Sequence, residues 1–289
     1  MIQSSELILN PDGSIYHLNL KPENIANNII FVGDQNRVEK ITKFFDNIEF
    51  STQKREFKTQ TGTYKGKRIT VMSTGIGPDN IDIVMNELDA LVNIDLTTRQ
   101  PKENLTSLNI IRIGTSGSLQ ADIPVDSFVM GKFGLGLDNV LRSYLIDAIT
   151  NATIEDAFIA HTNWDMKKGK PYVVACSEKL EKVFESNQIF KGITATAGGF
   201  YGPQGRVLRL NIQDEELNDK MDNFKIDDTR ITNFEMETSA IYGLGQLLGH
   251  HCLSLNAIIA NRATKTFSED PYKAVDALIA YSLDKLANS

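Results

Sequence analysis

The stretch Thr232-Asn-Phe-Glu-Met-Glu-Thr-Ser239 places two carboxylates where a strand is predicted to end and a helix to begin. Glu235 and Glu237 flank Met236 at the two-residue period of a strand, so both are expected to face one side. Downstream, apolar residues recur at a helical period until Gly249. Open α/β sheets build their sites where strands end and helices begin. The two glutamates are therefore candidate site residues, although negative charge before a helix also favours stability alone.

Strand-like and helix-like segments alternate along the rest of the chain. Apolar runs predict strands at Asn28–Val32, Lys67–Met72, Asn109–Ile113, Ser127–Met130, Tyr172–Cys176, Ile193–Ala197 and Leu253–Ala260. Helical periodicity predicts helices after Gly33, after Gly77 with Asp79 or Asn80 as the cap, and from about Pro271 to Leu286. No linker-like tract interrupts the pattern. It predicts a single α/β domain over residues 1–289, with a mixed sheet covered on both faces.

Composition narrows the functional classes. The 289 residues are 41% hydrophobic and carry a formal charge of −7, which disfavours a general nucleic-acid binder. No apolar run reaches membrane-spanning length, and the N-terminus lacks a signal-peptide pattern. Cys176 and Cys252 lie in apolar runs without metal spacing, as expected of buried, reduced thiols. We therefore expect a cytoplasmic protein that uses neither membrane nor nucleic acid as a partner.

Arginines near glycine-rich strand ends suggest an anion site. Arg37 follows Gly33, Arg112 precedes Gly114 with Thr115 adjacent, and Arg55 follows another strand-like run. Guanidinium groups match phosphate oxygens in a bidentate fashion, and exposed N–H groups at turns favour anions. These arginines predict a phosphate clamp, but most arginines are surface charges, so spacing alone leaves both interpretations open.

Other motifs carry no chemistry. Gly243-Leu-Gly-Gln-Leu-Leu-Gly249 has the wrong spacing for a dinucleotide fingerprint and falls within a predicted helix. His250 and His251 are adjacent on a predicted strand start and should point apart, so no metal is expected there.

A set of short stretches, in chain order, carries a family resemblance. They are Tyr16-His-Leu-Asn-Leu20, Gly33-Asp-Gln-Asn-Arg-Val38, Arg55-Glu-Phe57, Ser73-Thr-Gly-Ile-Gly77, Arg112-Ile-Gly-Thr-Ser-Gly117, Phe200-Tyr-Gly-Pro-Gln-Gly-Arg206, Phe234-Glu-Met-Glu237 and Ile259-Ala-Asn-Arg262. Together they resemble the nucleoside phosphorylase-I superfamily and, within it, the uridine phosphorylases. The resemblance implies a three-layer α/β/α fold with a central mixed, partly barrel-like sheet. It also implies reversible conversion of uridine and phosphate to uracil and ribose 1-phosphate.

The resemblance implies specific roles at the phosphate and the sugar. Inorganic phosphate, as co-substrate, would contact Gly33, Arg37, Arg112, Thr115 and a neighbouring subunit's Arg55. The ribose would contact Thr115, Met236 and Glu237, together with the partner's His17. A homodimer is then the minimal active unit, and bacterial relatives assemble such dimers into hexamers.

At the base, the resemblance assigns uracil recognition to Gln204 and Arg206, with Phe200 against the ring, Arg262 supporting Gln204 and Ile259 as an apolar wall. Gln204 can offer a donor and an acceptor to the carbonyl and N–H edge of uracil. The implied catalytic residues are Arg112, Glu237 and Arg206.

Departures from the family keep alternatives open. Purine-cleaving members carry a Ser-Asp pair where this chain reads Ala260-Asn-Arg262, which argues for a pyrimidine. Pro78-Asp-Asn80 replaces a Gly-Pro-Ser that helps bind intersubunit potassium near the residue matching Glu56. A structural K⁺ near Glu56 is therefore an expectation that rests on Asn80, and no other cofactor is expected. The remaining alternatives are a broad-specificity or purine nucleoside phosphorylase and a non-catalytic relative of the fold.

Overall fold

A twelve-stranded mixed sheet organises the chain in the computed structural model, which describes all residues from 1 to 289. A separate two-stranded sheet and seven α-helices accompany it. The strands are β1 (Asn28–Val32), β2 (Asn47–Lys54), β3 (Phe57–Tyr64), β4 (Lys67–Ser73), β5 (Ile94–Asp95), β6 (Gln100–Pro101), β7 (Asn109–Ser118), β8 (Phe128–Gly136), β9 (Tyr172–Ala175), β10 (Ile189–Thr196), β11 (Lys225–Ile226), β12 (Thr229–Glu235), β13 (His251–Asn261) and β14 (Thr266–Phe267). The helices are α1 (Gln35–Thr42), α2 (Pro78–Asn93), α3 (Ala152–Thr162), α4 (Glu178–Phe184), α5 (Leu217–Asn223), α6 (Thr238–Leu248) and α7 (Pro271–Ala287).

Five strands of the large sheet close into a ring. The strands β10, β8, β13 and β7 are successive neighbours, and β12 pairs with both β10 and β7. The closing contact is antiparallel and sets Phe234 opposite Gly117. From β7 the sheet continues outward through β1, β4, β3 and β2. The predicted α/β fold class, with a mixed and partly barrel-like sheet, is confirmed.

Parallel strands bring distant chain segments to one edge of the sheet. β1 is parallel to both β4 and β7, and β13 is parallel to β7 on its other side. The helices α1, α2 and α6 follow the strands β1, β4 and β12. Because parallel strands end at the same edge, the segments after them are neighbours in space although they are far apart in sequence.

Two apolar clusters hold these elements in place. The larger has 48 buried residues and includes the apolar residues of β1, β7 and β13 and the inward stripes of α2 and α7. The smaller has 13 and joins α3 and α5 to β10 and β12. Removal of this much apolar surface from water is the main stabilising contribution to the fold. None of the helices combines the length and apolar character needed to cross a membrane.

Several predicted boundaries were wrong, for reasons of tertiary context. β7 continues through its glycines to Ser118, because β13 pairs with it along the whole length and β12 pairs with its last residues. Helix α2 is preceded by Gly77 at a φ of 104° rather than being capped by Asp79 or Asn80, which lie inside it. The strand-like run before Arg55 is β2, whereas β3 and the helices α3, α4 and α5 lacked a clear periodic pattern and were not predicted.

Candidate active site

A cavity of about 300 Å³ opens where these strands end. Most of the residues implicated by sequence line it, namely Gly33, Arg37, Arg112, Thr115, Phe200, Gln204, Arg206, Met236, Glu237 and Ile259. They come from elements between β1 and β13, which meet only because the parallel strands share an edge. A larger cavity of about 690 Å³ lies beside it, lined by the 201–214 loop, and shares Arg206.

A buried ion pair lies at the centre of the smaller cavity. The Arg112 guanidinium donates through Nη2 to the Glu237 carboxylate and lies 3.6 Å from Glu235 Oε2. Its Nη1 donates to Asn256 Oδ1 at 3.1 Å. The side chain folds back over Gly114, where a Cβ would overlap Arg112 Nη1 and crowd Asn256. The cationic group is therefore fixed by two acceptors, by the nearby Glu235 carboxylate and by the absence of a side chain at Gly114.

The two glutamates have different structural roles. Glu235 accepts from the N–H groups of Glu237 and Thr238 and from Thr196 Oγ1, at 2.7–3.0 Å, so it fixes the start of α6. Glu237 stands immediately before α6 and accepts from the Gly77 N–H at 2.8 Å. Glu237 is thus the carboxylate that lies between the glycine turn after β4 and Arg112.

Burial and neighbouring charges shift the pKa values of Glu237 and Arg112. Burial raises the pKa of Glu237, Arg112 lowers it and Glu235 raises it, with a net value above the ordinary 4.5. Burial lowers the pKa of Arg112, but Glu237 and Glu235 outweigh this, so the guanidinium remains protonated. The ion pair favours the charged form of both partners, while desolvation opposes it.

Arg37 supplies a second cation without a carboxylate of its own. It lies in the first turn of α1 and donates from Nη1 to the Ile113 carbonyl at 3.3 Å. Burial lowers the pKa of Arg37, and so does the nearby Arg112, because the two guanidinium charges repel one another. With Thr115 beside them, the two cations suit a bound anion, which would relieve their repulsion.

A second polar cluster forms the other end of the cavity. Gln204 is buried, and its Oε1 accepts from Arg206 Nη1 at 2.6 Å and from Arg262 Nη2 at 2.8 Å. The Arg206 guanidinium stacks 3.8 Å from the centre of the Phe200 ring. Arg262 itself lies behind Gln204 rather than in the cavity lining. Both acceptor positions of Gln204 Oε1 are engaged, and Nε2 donates to the Glu235 carbonyl at 3.4 Å; the Arg206 contact is one that the sequence did not indicate.

Two implicated residues lie elsewhere in the chain. His17 contacts Glu87 through Nδ1 at 2.6 Å, and Arg55 is exposed in the turn between β2 and β3. Neither lines the cavity of its own chain. The sequence assigns both to a neighbouring subunit's site, and that assignment stays a prediction.

Sequence reasoning missed some residues that position the site. Asn256 gave no signal, because its contact with Arg112 arises from the parallel pairing of β13 with β7, which sets Asn256 opposite Gly114. Glu87 holds the backbone N–H groups of His17 and Leu18 at 2.9–3.2 Å across a wide gap in sequence. Such contacts become visible only when the strands and helices are assembled.

The fold and this cavity define a member of the phosphorylase superfamily, whose family model matches residues 28–286; the chain belongs to that family. Among its relatives, a uridine phosphorylase from Thermococcus kodakarensis is 29% identical over 283 residues, or 98% of this chain and 90% of the relative. A Trypanosoma brucei nucleoside phosphorylase, reported to show uridine phosphorylase activity, has a structure that superposes with a TM-score of 0.88 at 29% identity, covering 98% of this chain and all of that one. A DeoD-type purine nucleoside phosphorylase from Listeria monocytogenes is 25% identical over 271 residues, or 93% of this chain and 97% of the relative.

Proposed function

We propose that this protein is a uridine phosphorylase, which reversibly converts uridine and phosphate to uracil and ribose 1-phosphate in pyrimidine nucleoside salvage. The observation that carries the proposal is a single cavity in which Arg37 and Arg112 adjoin Glu237 while Gln204 and Arg206 form the far wall. The uridine phosphorylase activity reported for the Trypanosoma brucei relative supports the same substrate.

The cationic end of the cavity suits the attacking phosphate. Cleavage of the N-glycosidic bond develops positive charge on the sugar, so an anionic nucleophile must be held beside C1′. Arg37 and Arg112 bind and orient phosphate, so that its attack on the sugar takes place within one complex instead of through a random encounter in solution. Glu237 accepts hydrogen bonds from the ribose hydroxyls, and its negative charge favours the cationic sugar. A phosphate oxygen then bonds to C1′ as the C1′–N1 bond breaks.

The electron pair of the broken bond passes to the base, which leaves as an anion. Arg206 and the Gln204 amide donate to its carbonyl oxygens and stabilise this charge. Arg206 Nη1 donates to Gln204 Oε1 at 2.6 Å. We infer that uracil takes over the Arg206 guanidinium, which frees one lone pair of Gln204 Oε1 for the N3–H of the base.

A nucleoside panel tests the proposal. Uridine, deoxyuridine, thymidine and inosine are incubated with the protein, with and without phosphate, and release of the free base is followed by absorbance. Uridine cleavage that requires phosphate is expected. Phosphate-independent cleavage would indicate a hydrolase, and no turnover of any nucleoside would indicate a non-catalytic relative.

A purine substrate is the second candidate, because the Listeria relative is a purine nucleoside phosphorylase. One observation weighs against it. Ala260 lines the cavity, whereas the Asn261 side chain donates to the carbonyls of Gln120 and Ile123 at 2.9 and 2.8 Å. No acid at this place reaches a purine base, so inosine is expected to react far more slowly than uridine.

We also propose that a homodimer is the minimal active unit, with His17 and Arg55 completing the neighbour's site. Arg55 is exposed, and Glu87 holds His17 in a fixed orientation, as suits residues that serve a partner. Light scattering during turnover tests this proposal: a fully active monomer would contradict it.

We also propose that a structural potassium ion binds at the interface between the two chains of this homodimer. The Glu56 side chain and the Asn80 Nδ2 both lie against Gly75, and Nδ2 donates to the Ile76 carbonyl at 3.2 Å, so each chain can offer the Glu56 carboxylate and the Asn80 Oδ1. Oxygen donors of this kind suit a hard cation. The proposal predicts higher thermal stability in potassium than in choline chloride at equal ionic strength, and equal melting temperatures would contradict it.

Replacement of Arg206 by alanine is expected to lower kcat/KM for uridine by roughly thirty- to a thousandfold, since removal of a donor to developing charge costs about 2–4 kcal/mol. Because Arg206 lies at the base end, KM for phosphate should change little. Steady-state rates with each substrate varied in turn measure both effects. Equal losses for uridine and phosphate would show that Arg206 does not face the base.

Uridine binding is expected to weaken as the pH is lowered, with a midpoint above pH 4.5. Glu237 is the stronger acceptor when it is ionised, and its pKa is raised above 4.5, mainly by burial. The folded state therefore binds this proton more tightly than the unfolded chain does. The folding stability that the protonated form contributes is lost as the pH rises through the raised pKa. The affinity for the sugar increases over the same pH range. Calorimetric titration of uridine without phosphate measures the midpoint, and Glu237→Gln should give a flat profile. A midpoint at or below 4.5 would contradict the assignment.

A further inference from the structure

The Arg262–Gln204 contact depends on a residue outside the cavity. Arg262 donates from Nη1 to the Gln204 carbonyl at 2.6 Å and to Asn218 Oδ1 at 2.8 Å, and from Nη2 to Gln204 Oε1 at 2.8 Å. It has no carboxylate within ion-pair distance, so neutral dipoles alone balance its charge. Asn218 is the only side chain other than Gln204 that supplies one of these acceptors.

Asn218 also holds the turn that carries Gln204. Its Nδ2 donates to the Gly205 carbonyl at 3.2 Å, and Gly205 adopts a φ of 68°. A Cβ at Gly205 would lie 2.6 Å from Asn218 Nδ2, so the amide packs directly on the turn. One side chain thus contacts both the backbone beside Gln204 and the guanidinium that orients its amide.

Helix α5 gives Asn218 a rigid support. Leu217 and Met221 of this helix are buried in the smaller core cluster together with Phe234. Phe234 in turn lines the cavity, and its ring lies 5.4 Å from the Arg262 guanidinium. The position of Asn218 is therefore set by the core and not by the surface loop that follows Phe200.

We propose that Asn218 is a positioning residue for base recognition, acting through Arg262 on the Gln204 amide; this rests on the proposed uridine phosphorylase function. Arg206 must leave Gln204 Oε1 when uracil binds, so Arg262 is then the one protein donor on Oε1, while the long 3.4 Å contact from Nε2 to the Glu235 carbonyl holds the amide less firmly. Arg262 Nη1 has two acceptors, the Gln204 carbonyl and Asn218 Oδ1, and Asn218 is the one that does not belong to the residue being oriented. Loss of Asn218 leaves Arg262 bonded only to Gln204, so the two side chains can shift together and the amide can present either its oxygen or its nitrogen to the base.

Kinetics of the full-length protein test the proposal. For Asn218→Ala we expect KM for uridine to rise about tenfold, the scale of a lost hydrogen bond to a charged group, with kcat and KM for phosphate nearly unchanged. Selectivity for uridine over inosine should fall by a similar factor. Asn218→Asp keeps an acceptor for Arg262 and should recover most of the loss. Asn223→Ala is the matched control, because Asn223 lies on the same helix and donates only to the Asp219 carbonyl.

The outcomes separate this inference from the proposed function. If the wild-type protein cleaves uridine with phosphate but Asn218→Ala leaves KM for uridine and the selectivity unchanged, the inference is wrong and the function stands. Equal rises in KM for uridine and phosphate, with no recovery in Asn218→Asp, would show a general structural role and also overturn it. A wild-type protein without phosphate-dependent uridine cleavage overturns both.

Discussion

Replacement of Arg112 by methionine is expected to lower both the activity of the protein and its stability. The proposed function assigns this guanidinium to phosphate, and Glu237 and Asn256 fix it in place. Its removal should lower kcat/KM for phosphate by roughly thirty- to a thousandfold, or about 2–4 kcal/mol. Because Arg112 lies at the phosphate end, the effect on phosphate should exceed the effect on uracil selectivity. Initial rates at varied phosphate and fixed uridine measure the loss.

The same substitution should also lower stability, and a second variant separates the two effects. Without Arg112, Glu235 and Glu237 are buried beside one another without a cation, and breaking such a pair costs about 3–5 kcal/mol. The double variant Arg112→Met/Glu237→Gln removes one of these charges and should regain part of the stability while staying inactive. Arg68→Met, at a surface ion pair with Glu49, is the matched control and should keep activity. Unchanged phosphate kinetics in a folded Arg112→Met protein would contradict the assignment.

Replacement of Gly114 by alanine is expected to impair catalysis almost as strongly, without changing any group that touches substrate. The added methyl would overlap the Arg112 guanidinium and crowd the Asn256 amide. Since both are buried and fixed, Arg112 must leave its place between Glu237 and the phosphate position. We expect a loss of roughly a hundredfold in kcat/KM, similar to removal of one stabilising donor.

Gly198→Ala is the control for this prediction. The nearest atom to a Cβ at Gly198 is the Asp138 Cα at 3.7 Å, an ordinary packing distance, and Gly198 does not line the cavity. Gly198→Ala should keep wild-type kinetics, and denaturant unfolding of both variants measures the cost of overpacking, about 1–3 kcal/mol for Gly114→Ala. Wild-type activity in Gly114→Ala would show that the position of Arg112 is not needed.

The sequence predicted those parts of the molecule that depend on local pattern. Hydrophobic periodicity was sufficient for β1, β4, α2 and α7, because each has an apolar face long enough to be read directly. The chemistry-bearing side chains were found because their types and order follow a family pattern, and the structure brings Arg37, Arg112 and Glu237 to one cavity.

The parts that the sequence did not predict depend on contacts between distant segments. Nothing near Gly114 indicates that Arg112 folds back over it, since Asn256 reaches that place only through the pairing of β7 with β13. Likewise, Asn218 lies on a seven-residue helix without a clear pattern, and its link to Arg262 spans 44 residues. The supporting residues of a site are set by the assembled fold, whereas its candidate reactive residues were proposed from residue type and family resemblance.

Phosphorus NMR of the products tests whether two guanidiniums deliver phosphate to a sugar held by Glu237. With uridine and inorganic phosphate, we expect one ribose 1-phosphate for every uracil released, and loss of both products in Arg112→Met. Uracil accompanied by free ribose, with the phosphate signal unchanged, would contradict it.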